Sequence, residues 1–129
     1  MEFAIHEGLE NRLETLVGNS NTAKAYGSGL LDVFATPAMI ALMEETSHKS
    51  IEPFLPDGYA TVGTEISIKH IKATPVAMKV FCRSTLQKVE GRRLLFSVEA
   101  YDEVGKIGEG SHERFIVETA RFLDKIKTQ

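Results

Sequence analysis

One helix with an apolar surface on every side is the feature that most constrains how this chain can fold. Thr36-Pro37 is a helix start, because threonine can cap a helix and proline is tolerated at the first helical position. Six apolar residues follow in succession, from Ala38 to Met43. A helix that is apolar all round is predicted to be buried rather than laid on a surface. It becomes polar toward Lys49, and Pro53 and Pro56 end it.

Long segments of alternating hydrophobicity surround this helix in the sequence. A period of two predicts four strands after the helix, over residues 62–71, 78–87, 94–101 and 107–117. The segment 9–17 also fits a strand, although a helical reading competes there, and the small and Gly-rich segment 22–30 is predicted as a loop. A short helix is predicted over 120–127. Tight turns at Glu90-Gly91 and at 102–105 make the strands antiparallel neighbours.

These elements predict an α+β fold in which a curved antiparallel sheet wraps one long central helix. The length of 129 residues suits a single domain over 1–129. Strand alternation places Val62, Thr64, Ile66 and His70 on one face of their strand and Gly63 on the other. Because a strand edge invites pairing with a second copy, we expect a homodimer, with a higher oligomer left open.

Composition excludes several classes of function. A net charge of −3 argues against non-specific nucleic-acid binding, and one cysteine excludes an internal disulfide framework. The longest apolar run, six residues, is far shorter than the roughly 20 that a membrane helix needs. The acidic N-terminal segment lacks the features of a targeting signal. We therefore expect a cytoplasmic protein that binds no membrane, and the spacing of the four histidines predicts no metal site.

Three side chains in this pattern are candidates for chemistry. Glu44 directly follows the apolar run, and a buried carboxylate needs a hydrogen bond or a proton, unless the helix surfaces there and Glu44 pairs with His48. His70 ends an apolar strand face, where a packed core histidine is the alternative. Thr36 can combine a capping role with stabilisation of an oxyanion at the helix start. Thr36 and Glu44 are eight residues apart, about 12 Å along a helix, so we expect a composite site between two subunits.

Five segments in order resemble the hotdog-fold acyl-CoA thioesterases, and most of all the fluoroacetyl-CoA thioesterase group. They are 33–44, Val62-Gly63-Thr64, His70 with Ala73-Thr74-Pro75, Gly91-Arg92-Arg93-Leu94 and 107–115, within a resemblance that covers roughly residues 9 to 125. The resemblance implies that Thr36, Glu44 and His70 are catalytic and that Gly63 lines the thioester carbonyl.

One departure from this family concerns the phenylalanines that close over the substrate in the fluoroacetyl-specialised enzyme. Gly27 and Leu30 occupy those positions here, which argues against fluoroacetyl selectivity but leaves thioester hydrolysis intact.

The sequence therefore predicts hydrolysis of a small or medium acyl-CoA, with coenzyme A as part of the substrate and no separate cofactor. Leu30, Phe34 and Met39 are predicted to line the acyl pocket. Arg114, on one strand face with His112, is a candidate contact for coenzyme A phosphates, with a cross-strand ion pair as the alternative. Two other functions stay open: an enoyl-thioester hydratase or dehydratase on the same fold, and a non-catalytic binder of acyl ligands.

Overall fold

Five antiparallel strands form one sheet in the computed structural model, which describes residues 3–128. The strands are β1 (Glu10–Leu16), β2 (Tyr59–His70), β3 (Lys79–Glu90), β4 (Arg93–Asp102) and β5 (Lys106–Glu118). Their order across the sheet is β1-β3-β4-β5-β2, so β1 and β2 are its edges. The predicted strands and both tight turns are confirmed, and the segment around residue 9 is a strand rather than a helix.

The long helix α2 (Thr36–Ile51) lies against one face of this sheet and is followed by a 3₁₀ turn, Glu52–Phe54. It packs mainly on β1 and β3. The face that it buries includes Met39, Leu42, Met43 and Ile51, which join the inward side chains of the strands in one core. The prediction of burial on every side was wrong for a single chain: Ala41 is exposed, on the side of α2 that faces away from the sheet.

The start of α2 also differs from the prediction. Ala35 occupies the N-cap position, and Thr36 is the first helical residue. No side chain in the described part of the chain caps this helix end. The hydroxyl of Thr36 is therefore available for a contact outside the helix.

A bulge in β2 changes which side chains face the helix. The register with β5 shifts between Gly63 and Glu65, so that Gly63 lies opposite Arg114 and Ile66 lies opposite His112. Directly opposed residues of antiparallel strands point to the same face, and both His112 and Arg114 are buried. Gly63 therefore belongs to the helix-facing side with Ile66 and His70, which corrects the predicted alternation.

Two short helices flank these elements. The segment predicted as a loop before α2 contains one helical turn, α1 (Ala23–Tyr26), whose first turn is capped by the Thr22 hydroxyl accepting from Ala25 N–H. Gly27 ends it in the left-handed region, with φ of 71°. The predicted C-terminal helix is confirmed as α3 (Thr119–Ile126). No helix among residues 3–128 is long and apolar enough to cross a membrane.

Candidate active site

The first half of the candidate site joins the start of α2 to the end of β2. Thr36 Oγ1 lies 2.8 Å from His70 Nδ1. The other ring nitrogen, Nε2, is buried and has no hydrogen-bond partner within residues 3–128. Burial lowers the pKa of His70, so the ring is neutral at pH 7 and able to accept a proton.

A cavity of about 350 Å³ lies beside this pair. Thr36 and His70 form part of its wall, and Phe34, Val33 and Ser28 form another part. A larger groove of about 650 Å³, lined by Ser67, Lys69, Ser97, Glu99 and Glu109 among others, contains none of the predicted site residues. The smaller cavity is therefore the one that lies next to candidate chemistry.

The second half of the site surrounds Glu44, two turns further along α2. Its side chain is 43% exposed, and Oε2 lies 3.8 Å from Arg114 Nη1. A Cβ atom added to Gly63 would lie 2.9 Å from that carboxylate oxygen. Since real Cβ atoms do not approach so closely, the glycine is what allows the backbone of β2 to reach Glu44.

Buried polar contacts hold the arginine beside Glu44. The Arg114 side chain is 9% exposed, and it donates from Nε to Thr61 Oγ1 at 2.8 Å and from Nη2 to the Thr61 carbonyl at 2.9 Å. Nη1 lies 3.2 Å from His112 Nε2. Burial lowers the pKa of Arg114 and the Glu44 charge raises it, but a guanidinium stays protonated in proteins. A fixed positive charge therefore faces the Glu44 carboxylate.

The structure thus brings the predicted residues together in two groups. Thr36 contacts His70, and Glu44 contacts Gly63 and Arg114, but no hydrogen bond or ion pair between residues 3 and 128 joins Glu44 to His70 within one chain. The alternative pairing of Glu44 with His48 does not form, because His48 instead contacts Glu52 at 2.8 Å.

The residues predicted to line the acyl pocket lie in different environments. Leu30 is 90% exposed, on the loop between α1 and α2. Phe34 is buried and also walls the cavity beside His70. Met39 is buried in the core, where a Cβ on Gly108 would collide with its sulfur. Their contact with an acyl group stays a prediction.

Arg114, His112 and Cys82 are all buried in the structure. Arg114 was a candidate for coenzyme A phosphates, whereas its nitrogens are used inside the protein by Thr61 and His112. The contact of His112 with the arginine beside Glu44 was not predicted. In the sequence, only the shared strand face of His112 and Arg114 pointed to it. Cys82 is buried, and burial raises its pKa to about 11, so Cys82 is a packed thiol rather than a nucleophile.

A five-stranded antiparallel sheet packed on one long helix is the fold of the hotdog thioesterases. Residues 17–120 match the model of the family described as fluoroacetyl-CoA-specific thioesterase. The chain belongs to this family, and it is a thioester hydrolase that acts on acyl-CoA.

Individual relatives agree with this assignment. The chain is 40% identical over 96 residues to the fluoroacetyl-CoA thioesterase of Streptantibioticus cattleyicolor, a match that covers 74% of this chain and 69% of the relative. A solved structure of a fluoroacetyl-CoA thioesterase superposes with a TM-score of 0.92 at 32% identity, over 98% of each chain. A phenylalanine-to-alanine variant of the fluoroacetyl-CoA-specific thioesterase, solved with fluoroacetate and CoA, gives a TM-score of 0.87 at 33% identity, over 92% of this chain and 99% of that one.

Proposed function

We propose that this thioesterase works as a homodimer, in which Glu44 of one subunit and the Thr36–His70 pair of the other act on the same thioester. The separation of the two groups along α2 is the observation that carries this proposal. Eight residues place Thr36 and Glu44 about 12 Å apart on one rigid helix, too far to act together on one carbonyl. A second copy related by a two-fold axis can bring one group of each kind together.

The edge strand β2 supports the same arrangement. It ends the sheet, and Gly63, which lies against Glu44, is exposed in the single chain. An unpaired strand edge is a template for pairing with another chain. A partner that pairs there would cover the half-exposed Glu44 carboxylate and exclude water from it, which strengthens the electrostatic interactions of the site.

In this proposal, the Glu44 carboxylate acts on the thioester carbonyl carbon, as a nucleophile or by activating a water molecule. The neutral His70 ring, held by the Thr36 hydroxyl, takes up and returns a proton while the CoA thiolate leaves. The backbone near Gly63 lies against the thioester carbonyl. Hydroxylamine tests the nucleophilic role of Glu44, because attack on the Glu44 carbonyl of an anhydride would leave a hydroxamate on Glu44, which the water-mediated reaction cannot form.

The acyl group is the second part of the proposal. We infer that the enzyme hydrolyses small and medium acyl-CoA thioesters without selectivity for fluoroacetyl-CoA. Gly27 and the exposed Leu30 occupy the positions of the closing phenylalanines, and a relative solved with CoA supports coenzyme A as the leaving group. Comparable kcat/KM values for fluoroacetyl-CoA and acetyl-CoA are expected; a fluoroacetyl preference of several hundredfold would contradict this part. The cytoplasmic location stays a prediction.

Thiol release from acyl-CoA tests the catalytic residue. Glu44→Gln removes the carboxylate charge and should abolish thiol release while the protein stays folded. Glu45→Gln is the matched control, because the neighbouring Glu45 pairs with Lys49 on the exposed side of the helix, and it should keep wild-type turnover. Full activity of the Glu44→Gln variant would refute the assignment.

Mixed dimers test the composite site directly. Co-expression of Glu44→Gln and His70→Ala chains with different tags yields a dimer that contains both variants. If the site is shared, one of its two sites combines an intact Glu44 with an intact His70. Activity should therefore reappear in the purified mixed dimer although each variant alone is inactive. A mixed dimer as inactive as its parents would show that each subunit catalyses alone.

A further inference from the structure

The two ring nitrogens of His112 have neighbours that define a single state of the ring. Nδ1 lies 2.8 Å from the carbonyl oxygen of Glu65, which can only accept a hydrogen bond. Nε2 lies 3.2 Å from Arg114 Nη1, which can only donate one. Nδ1 must therefore carry the proton and Nε2 must be bare. His112 is a neutral imidazole that accepts from the arginine.

This contact completes the set of acceptors around the Arg114 guanidinium. Nε and Nη2 donate to the hydroxyl and the carbonyl of Thr61, and Nη1 donates to His112. Nη1 is also the nitrogen that lies 3.8 Å from Glu44 Oε2. Without an acceptor at His112 Nε2, the group that faces the carboxylate would lose the contact that fixes its direction.

We propose that His112 is a positioning residue, which orients Arg114 and through it the Glu44 carboxylate for attack on the thioester. His112 is 2% exposed, and its ring stacks on Phe96 with the centroids 6.3 Å apart, so the ring lies in the core and acts through Arg114. A Cβ on Gly63 would also lie 3.3 Å from His112 Cε1. The His112 ring therefore packs against the same glycine that allows Glu44 to lie close to β2. The inference rests on the proposed role of Glu44.

The burial of His112 favours its neutral form. Burial lowers its pKa, and the adjacent Arg114 lowers it further, while the Glu65 carbonyl, Glu44 and Glu113 act in the opposite direction. A proton on Nε2 would place two donors and two positive charges face to face, and Arg114 would have to move. The same geometry therefore makes the neutral ring a requirement for an ordered site.

Two amide substitutions separate positioning from packing. The amide of His112→Gln reaches the place of Nε2 and can accept from Arg114, whereas the amide of His112→Asn lies near Nδ1 and can only keep the bond to Glu65. If His112 positions Arg114, Asn should lower kcat by about 10-fold to 100-fold, and Gln should retain several times more activity than Asn. KM for acyl-CoA and the melting temperature should differ little between the two variants. Equal loss in both, or more activity with Asn, would overturn the proposal.

A double-mutant cycle tests whether the effect passes through the arginine. In an Arg114→Met background, His112→Asn should lower kcat no further, because the group that it orients is gone. If the two substitutions instead lower kcat by the product of their separate effects, His112 acts independently of Arg114, and the proposal is overturned.

NMR tests the inference without a measurement of enzyme activity. The ¹⁵N shifts of wild-type His112 should show a protonated Nδ1 and a bare Nε2, and the carboxyl ¹³C shift of Glu44 should change more in His112→Asn than in His112→Gln. A protonated Nε2 would overturn the inference even in an active enzyme. A wild type that releases no thiol but shows these shifts would refute the proposed function alone.

Discussion

The buried carboxylate of Asp102 joins the turn after β4 to the segment that leaves His70. Its Oδ1 accepts from the backbone N–H groups of Val104 at 2.8 Å and Gly105 at 3.0 Å. Its Oδ2 accepts from the Thr74 hydroxyl at 2.9 Å and from Lys72 Nζ at 3.0 Å. The Thr74 carbonyl in turn accepts from Phe34 N–H, two residues before Thr36. Asp102 therefore supports both segments next to the Thr36–His70 pair: the one before Thr36 and the one after His70.

The pKa of Asp102 gives the size of this contribution. Burial alone would raise the pKa, but the hydrogen bonds outweigh it and lower the pKa from 3.8 to about 2. That difference corresponds to about 2 kcal/mol of folding free energy. Because the folded-state pKa is the lower one, this stabilisation is complete above pH 4 to 5 and is lost as the pH falls toward 2. For a domain of this size, we expect Asp102→Asn to lower the melting temperature at pH 7 by about 6–10 °C.

Urea unfolding at pH 7 and at pH 2.5, at one protein concentration, measures this effect. The difference in unfolding free energy between the wild type and Asp102→Asn should be about 2 kcal/mol at pH 7 and clearly smaller at pH 2.5. Asp57→Asn, on an exposed turn, is the control and should follow the wild type at both pH values. A difference that does not change with pH would refute the assignment of the stabilisation to the ionised Asp102.

Two further predictions concern the site itself. Gly63→Ala places a Cβ 2.9 Å from Glu44 Oε2, so we expect the carboxylate to move aside and kcat to fall by about 100-fold in a folded protein, while Gly18→Ala, where the Cβ meets open space, should leave thiol release unchanged. Thr36→Val removes the hydroxyl that holds His70 Nδ1 and should lower kcat at least about tenfold, whereas Thr36→Ser should retain most of the activity. Equal kcat values for the Val and Ser variants would show that the hydroxyl has no part in catalysis.

The sequence predicted the parts of the fold that local pattern determines. The apolar run after Pro37 predicted α2, and period-two alternation with turn residues predicted the four later strands and their antiparallel order. These features depend on residues close together in the chain. The same pattern was wrong where distant pairing decides the outcome, as in the bulge between Gly63 and Glu65, which is defined by the register with β5.

In the candidate site, too, the contacts between residues distant in the chain were not predicted. Thr36 was predicted to cap α2, because capping is the local use of a threonine before a proline, but its hydroxyl contacts His70, 34 residues away. The neighbours of Glu44 could not be predicted either. Arg114 reaches it from β5, and Gly63 reaches it from β2 because the bulge turns the glycine toward the helix.

The uncharged hydrogen-bond partners of Arg114 explain how Glu44 can remain reactive. The guanidinium gives its hydrogen bonds to uncharged acceptors, the two oxygens of Thr61 and His112 Nε2, and stays 3.8 Å from Glu44. A bidentate ion pair would hold the carboxylate with short charge-assisted bonds that a nucleophile or base would have to break. Because Thr61 and His112 satisfy the arginine instead, no hydrogen bond within residues 3–128 occupies the oxygens of Glu44. A substitution that lets Arg114 form short hydrogen bonds to Glu44 should therefore lower activity although it tightens the ion pair.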